Sequence, residues 1–284
     1  MKSFIVTVLA LLLLAVGGNA FRSRLQPRVV NGRNANPGQF PYAVSLRYNN
    51  IHICGGSIIS ANYILTAAHC LTTEIDGEIF DTAPHWLSIR AGSLHVGTGG
   101  VVVPISEYTK FPGYFGNFGD IAVLRLGQSL NFTDQIRPIN LTEAEPPNFV
   151  SIVAAGWGRL FEDGPRPEIL QYTSMLSLSH NVCSILNPLM DESFVCLLPS
   201  RRNINGVCNG DSGGPAVYND RLVGVANYIS ESCGAPHPDV FANVAHYANW
   251  IRENSDLEND DVANSNTQNV SSENSSAENG NLEV

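Results

Sequence analysis

An all-β domain, built as a barrel or a sandwich, is the fold this 284-residue sequence predicts. Two observations carry the prediction. From residue 29 to about 244 the chain is a series of short apolar runs punctuated by Gly, Pro, Asn and Asp. Those runs have strand character: "YAVSLRY" (42–48) alternates, while "SIVAAGW" (151–157) and "LVGVANYI" (222–229) are near-continuous apolar stretches of strand length. A third observation marks where the pattern stops. In "VAHYANWIREN" (244–254) Val244, Tyr247, Ala248 and Ile251 recur at helical spacing, which predicts an amphipathic helix closing the domain. No internal repeat is visible.

The ends differ in kind from the domain. Residues 1–20, "MKSFIVTVLALLLLAVGGNA", have a positive start at Lys2, an apolar run from Phe4 to Val16 and small residues at Gly18 and Ala20. They read as a secretory signal peptide cut after Ala20. The run is shorter than the ~20 residues a bilayer-spanning helix needs, and no later segment qualifies. Residues 21–28, "FRSRLQPR", are basic without an acid and give way abruptly to "VVNGRNANPGQF", as at a processing junction after Arg28. Residues 256–284 carry seven acids, no Lys or Arg and no aromatic residue, and read as an acidic disordered tail. The domain itself is therefore 29–255.

Composition excludes some partners. The formal net charge is −10, and residues 29–255 hold 12 Lys/Arg against 19 Asp/Glu. Neither nucleic acid nor an anionic membrane is an expected partner of such a chain. Secretion implies an oxidising compartment, so the six cysteines (54, 70, 183, 196, 208, 233) are expected in disulfides. Sequence arithmetic alone leaves about 15 pairings open. No CxxC or paired Cys/His spacing marks a zinc site, and no metal or cofactor is expected. N-x-[ST] sequons make Asn131, Asn140, Asn269 and Asn274 glycosylation candidates.

The densest chemical signal is "GVCNGDSGGP" (206–215), with a serine inside a glycine-rich loop. A serine hydroxyl is a weak nucleophile; it needs a base, a group that orients the base, and donors for a developing oxyanion. Glycines let backbone N–H groups approach a substrate, which makes those of Gly210 and Ser212 candidate oxyanion donors. Of the seven histidines only His69, in "LTAAHC", has a distinctive setting: it follows an apolar run, with small Ala67 and Ala68 beside it. Asp120, in "GDIAVLRL", directly precedes another apolar run, as a buried orienting carboxylate should. Singly, each of these residues is more simply read as structural: a packed histidine, a turn aspartate, an anion-binding loop.

Taken together, "TAAHC", "GDIAVLRL" and "GDSGGP", in the order His, Asp, Ser, resemble the chymotrypsin family of serine proteases. "RVVNG" (28–32), "CGGSII" (54–59), "GWG" (156–158) and "ANWIREN" (248–254) extend the resemblance over residues 28–254. It implies two orthogonal six-stranded antiparallel β-barrels with the active site between them, and a C-terminal helix. It implies Ser212 as nucleophile, His69 as general base and then acid, and Asp120 as the residue that fixes the imidazole. It also implies the pairs Cys54–Cys70, Cys183–Cys196 and Cys208–Cys233. Cutting after Arg28 would free the α-amino group of Val29, which in the family pairs with the carboxylate before the nucleophile, here Asp211. Asn31 stands where the junction usually has glycine.

The same resemblance locates the pocket for the acyl-side residue. Gly206 occupies its base, where trypsin-like members have aspartate, and Val207 follows. Asn227, Tyr228 and Ile229 replace the usual Ser-Trp-Gly of its wall, so Ile229 narrows the mouth. Asp239 lines up with a further pocket position. This set resembles neutrophil elastase and implies cleavage after Val, Ala or Ile. A rival reading exposes Asp239 to Arg or Lys, or gives the broad range of collagenolytic members; a third leaves Asp239 without a substrate role. The expected partners are protein or peptide substrates, a trypsin-like activating protease and protein inhibitors, with the enzyme itself monomeric. The alternatives from other classes are an inactive homologue that binds partners, set against by the complete triad, and an esterase, set against by the absence of a G-x-S-x-G elbow around Ser212.

Overall fold

The computed structural model describes residues 30–186, 188–200 and 205–258. The signal peptide, the propeptide with Arg28, Val29, Asn269 and Asn274 lie outside them.

Twelve strands form two closed rings, and the two rings have one topology. In the first, β1 (Ala43–Tyr48), β2 (Ile51–Ile58), β3 (Tyr63–Thr66), β4 (Leu87–Ala91), β5 (Val101–Lys110) and β6 (Ala122–Leu126) close in the order β1-β2-β3-β6-β5-β4. In the second, β7 (Ser151–Gly156), β8 (Gln171–Leu178), β9 (Phe194–Leu198), β10 (Pro215–Tyr218), β11 (Arg221–Ile229) and β12 (Asp239–Asn243) close as β7-β8-β9-β12-β11-β10. All of these pairings are antiparallel. The all-β expectation and the two six-stranded barrels are both borne out. The duplication leaves no trace of repeated sequence.

One strand departs from the simple alternating pattern. The alternating run at β1 predicts one wet face, yet five of its six residues are buried. Ser45 and Arg47, on the polar side, are covered: Ser45 Oγ is bonded to His52 Nδ1 at 2.8 Å, and Arg47 Nη2 donates to Asn50 O at 2.5 Å.

Among the described residues two α-helices decorate the rings, α1 (His180–Leu186) and α2 (Val244–Glu253). Helix α2 starts where predicted because Asn243 Oδ1 accepts the Ala245 N–H at 3.1 Å, a standard N-cap. It buries Val244, Tyr247, Ala248 and Ile251, the four residues picked out by periodicity. Tyr247 and Trp250 then meet the edge of Phe111, at 5.0 and 5.4 Å between ring centroids, so the end of the chain packs back onto the first barrel. Packing continues past residue 255: Asn62 Nδ2 donates to Asp256 Oδ2 at 2.8 Å and Leu257 joins the same core. The disulfides are Cys54–Cys70, Cys183–Cys196 and Cys208–Cys233, with Cα separations of 6.2, 6.0 and 5.0 Å, as the resemblance implies. No helix among the described residues is long and apolar enough to cross a membrane.

Candidate active site

Each barrel contributes chemistry from the ends of its strands. After β3 the chain makes a 3-10 turn, Ala68–Leu71, that presents His69. Cys70 in that turn is tied to Cys54 on β2, and Thr72 Oγ1 donates to His69 O at 2.8 Å, so the turn is held on both sides of the imidazole. Asp120, just before β6, is 1% exposed and gives both oxygens to the same residue. Its Oδ1 accepts the His69 backbone N–H at 2.7 Å, and its Oδ2 lies 2.7 Å from Nδ1. An ionised carboxylate only accepts, so Nδ1 carries the proton and Nε2 keeps the lone pair a base needs. Nε2 lies 3.7 Å from Cys70 Sγ, and among the described residues no hydrogen bond joins it to Ser212 Oγ. Such bonds are commonly long without substrate and tighten in the complex. The Cys54, His69 and Cys70 ligand atoms do cluster within 4.8 Å, but the two sulfurs are bonded to each other, so they offer no thiolates to a metal.

The second barrel supplies the serine loop, and backbone contacts hold it to the first. Gly55 N, on β2, donates to Ser212 O at 2.7 Å. A Cβ on Gly213, at φ +76°, would lie 2.2 Å from Thr66 Oγ1, and one on Gly55 would lie 2.7 Å from Gly214 Cα. The glycines flanking Ser212 are therefore required by contact between the barrels, beside the turn that carries His69. Gly213 N donates to Ala226 O and Gly214 N to Asp211 O, at 2.7 and 2.9 Å. The N–H groups of Gly210 (φ +104°) and Ser212 have no partner among the described residues, as donors awaiting an oxyanion should.

Asp211 is buried beneath this loop. Its Oδ1 accepts Gly158 N at 2.6 Å and its Oδ2 accepts Cys208 N at 2.9 Å. Burial pushes its pKa up to about 6, against the pull of those two N–H groups and of Arg166. A Cβ on Gly156 or Gly158 would sit 2.1 or 2.4 Å from the carboxylate, which is why the "GWG" landmark has glycine on both sides of its tryptophan. Val30, the first described residue, is buried against Gly234, where an added Cβ would lie 2.4 Å from Val30 Cγ1. Asn31 follows at φ +60°, a conformation that asparagine tolerates nearly as glycine does.

Sequence reasoning passed over His52. It is buried; Nε2 donates to Gly210 O at 3.1 Å, and Nδ1 faces Ser45 Oγ. Burial, then the Arg166 charge, lowers its pKa to about 4, so it is a neutral strut under the oxyanion peptide. Nothing local marks it, because its partner lies 158 residues away. Asn227 is tied to the segment that leads to Asp120. Its Nδ2 donates to Asn117 O at 2.8 Å, three residues before Asp120, rather than to the carboxylate.

Beside Ser212 lies a cavity of about 160 Å³ lined by Val207, Cys208, Asn209, Ser212, Ala226, Asn227, Tyr228 and Ile229. Four of the six residues expected in the pocket line it. Gly206 and Asp239 stand behind: Asp239 is 4% exposed, its Oδ2 accepts Val207 N at 2.8 Å, and a Cβ on Gly206 would meet that oxygen at 2.5 Å. Burial, with the nearby Asp211 charge, pushes Asp239 up to about 7, against the Val207 N–H.

Comparison with known proteins agrees with this fold. The family model described as Trypsin matches residues 29–251. Serine protease SP24D of Anopheles gambiae is 36% identical over 231 residues, covering 79% of this chain and 80% of that protein. Trypsin alpha of Drosophila melanogaster is 34% identical over 257 residues, 87% and 96% of the two chains. The solved structure of neuropsin, a serine protease expressed in the limbic system of mouse brain, superposes with a TM-score of 0.69 at 27% identity, covering 78% of this chain and 97% of that one. The chain belongs to the trypsin family of serine proteases and is a serine endopeptidase.

Proposed function

We propose that the protein is a secreted endopeptidase, made as a zymogen, that cleaves after small aliphatic residues. Ser212 Oγ attacks the scissile carbonyl carbon while its proton passes to His69 Nε2. The oxyanion is held by the Gly210 and Ser212 N–H groups, and His69 returns the proton to the departing amine. Water then repeats the sequence on the acyl-enzyme, with His69 again as base. Asp120 keeps the imidazole in the productive tautomer and balances its charge when protonated. Cleavage after Arg28 gives Val29 an ammonium group, the partner that the buried carboxylate of Asp211 needs.

One observation carries the specificity: the cavity beside Ser212 has no charged side chain in its lining. Two of the relatives above bear names of different scope, a trypsin and a serine protease, so the pocket itself is the better guide. Val207 and Ile229 stand in the wall of this small uncharged space, and Asp239, the carboxylate at the remaining pocket position, is buried behind Gly206 with an N–H already bound. A lysine or arginine would have to displace Val207 to reach Asp239. Apolar pockets discriminate methylenes by about 10- to 200-fold, which sets the contrast expected between Val and the larger Phe or Leu.

The test has two parts. Enzyme activated with a trypsin-like protease is treated with an organophosphate, and labelling is mapped to Ser212 by mass spectrometry; no labelling removes the catalytic assignment. Peptides differing only in the acyl-side residue (Val, Ala, Phe, Leu, Arg) are then compared by kcat/KM. Val or Ala leading by tenfold or more is expected, whereas a lead for Arg transfers the pocket to Asp239.

A further inference from the structure

The serine loop has two flanks, and only one forms the pocket. On the acyl side stands β11, with Ala226 to Ile229 in the cavity wall. A substrate that fills this cavity and crosses Ser212 must leave on the opposite side, past Gly210 and His52. Two arginines wait there. Arg159 N donates to Asn209 O at 2.9 Å, and its Nη1 donates to Gly164 O at 2.6 Å. Arg166 Nη1 donates to His52 O at 2.7 Å, and its Nε and Cζ lie 3.4 and 3.6 Å from where a Cβ on Gly210 would be. The Arg166 guanidinium is thus held against Gly210 and its support His52, while Arg159 is tied to the oxyanion peptide by its backbone N–H and its guanidinium is held within its own loop.

Among the described residues neither charge is held in an ion pair, although acids outnumber bases across the domain. Asp211 is near enough to act on Arg166, but its oxygens are turned to Gly158 and Cys208. Glu162, on the same loop, accepts Cys233 N at 2.9 Å instead. Burial, and then Arg159, oppose the Arg166 charge, and an arginine nevertheless stays protonated. The pair therefore presents positive charge with no ion-pair partner among the described residues, and with donors left over, beside the exit path of the leaving group.

We infer that Arg166, backed by Arg159, makes a leaving-group subsite that selects substrates with Asp or Glu within the first three residues after the scissile bond. The inference rests on the endopeptidase reading above. Both groups retain solvent contact, so the preference is of the size of a surface ion pair, about three- to fivefold for Glu over Gln. Lysine is disfavoured by a similar factor, and about 0.5 M salt brings the ratios close to one.

The experiment uses activated full-length enzyme and internally quenched peptides with a fixed acyl-side valine and Glu, Gln or Lys at each of the three leaving-side positions. A chromogenic valyl amide, which has no leaving-side residues, is assayed in parallel. A Glu:Lys ratio of kcat/KM near ten at one of the three positions supports the inference. So do its collapse in R166Q and its inversion in R166E, each ratio being internal to one enzyme. Ratios within twofold of one for the wild type, or a wild-type ratio retained in R166Q, overturn it while the amide is still cleaved. Failure of the wild type to cleave any valyl substrate instead overturns the pocket reading, and the inference with it.

Discussion

The two barrels share a strand order and divide the work unequally. The first holds His69 and Asp120 in a fixed frame: a disulfide, a threonine and two short hydrogen bonds leave the imidazole one orientation. The second holds Ser212, the unpartnered N–H groups of Gly210 and Ser212, and the cavity beside them, supported by two buried carboxylates whose pKa values are pushed up. On the proposed mechanism, one topology therefore carries the proton relay in one barrel and the binding surface in the other. Proton transfer tolerates little change of geometry, whereas a pocket and an activation switch require side chains whose burial and pairing can change.

That contrast is testable by exchanging one carboxylate in each barrel. Asp120→Asn leaves the frame folded but supplies an amide where Nδ1–H needs an acceptor, and kcat is expected to fall about 10⁴-fold with KM little altered. Asp211→Asn places an amide N–H₂ against at least one of the two N–H donors now bound to the carboxylate. Activated enzyme is expected to lose about 10²–10³-fold in kcat/KM, as when an oxyanion donor is removed, and about 1–3 kcal/mol of stability to urea. If both exchanges leave stability unchanged, the proposed difference between relay and loop disappears.

His52 sharpens the comparison because it belongs to the first barrel and supports the second. Its folded pKa, about 4, lies below the ordinary histidine value of 6.5. The unfolded chain therefore binds its proton first as pH falls, and the stability His52 contributes is lost from pH 6.5 down to about 4. The buried acids work oppositely, their contribution falling as pH rises from the usual carboxylate range through about 6 for Asp211 and about 7 for Asp239. Subtracting urea-unfolding curves of His52→Gln from wild type cancels the acids. The difference is expected to show a slope over pH 4–6.5 totalling at most about 3 kcal/mol; a flat difference removes the neutral-strut role.

The smallest effect is expected at Asn227, whose amide joins β11 to the segment leading to Asp120. Asn227→Ala loses one hydrogen bond, worth about 0.5–1.5 kcal/mol, so kcat is expected to fall by up to about tenfold. If KM rises and kcat does not change, Asn227 serves the pocket rather than the aspartate.

The stretches that carry His69, Asp120 and Ser212 stood out in sequence because backbone contacts demand small residues around them. Gly156 and Gly158 clear space for Asp211, and Gly55 and Gly213 bring Ser212 against the other barrel, so "GWG", "CGG" and "GDSGG" are steric necessities printed in the chain. The alternating and apolar runs likewise gave the strands, and Val244, Tyr247, Ala248 and Ile251 the closing helix. What could not be read is pairing at a distance. The repeated strand order is a property of non-local hydrogen bonds, which different side chains satisfy equally. His52 meets Gly210, and Asp239 lies behind Gly206 rather than in the cavity, only after both barrels close.

Where Gly55 meets Gly213 and Gly214, no side chain of these three residues separates the barrels. A joint of this kind has no cushion. One methyl group placed there would act as a shim, tilting nucleophile away from base while every reactive atom stays in the molecule. The seam is thus a control point of pure distance, from which a catalytically silent scaffold with an unaltered complement of reactive groups could be built.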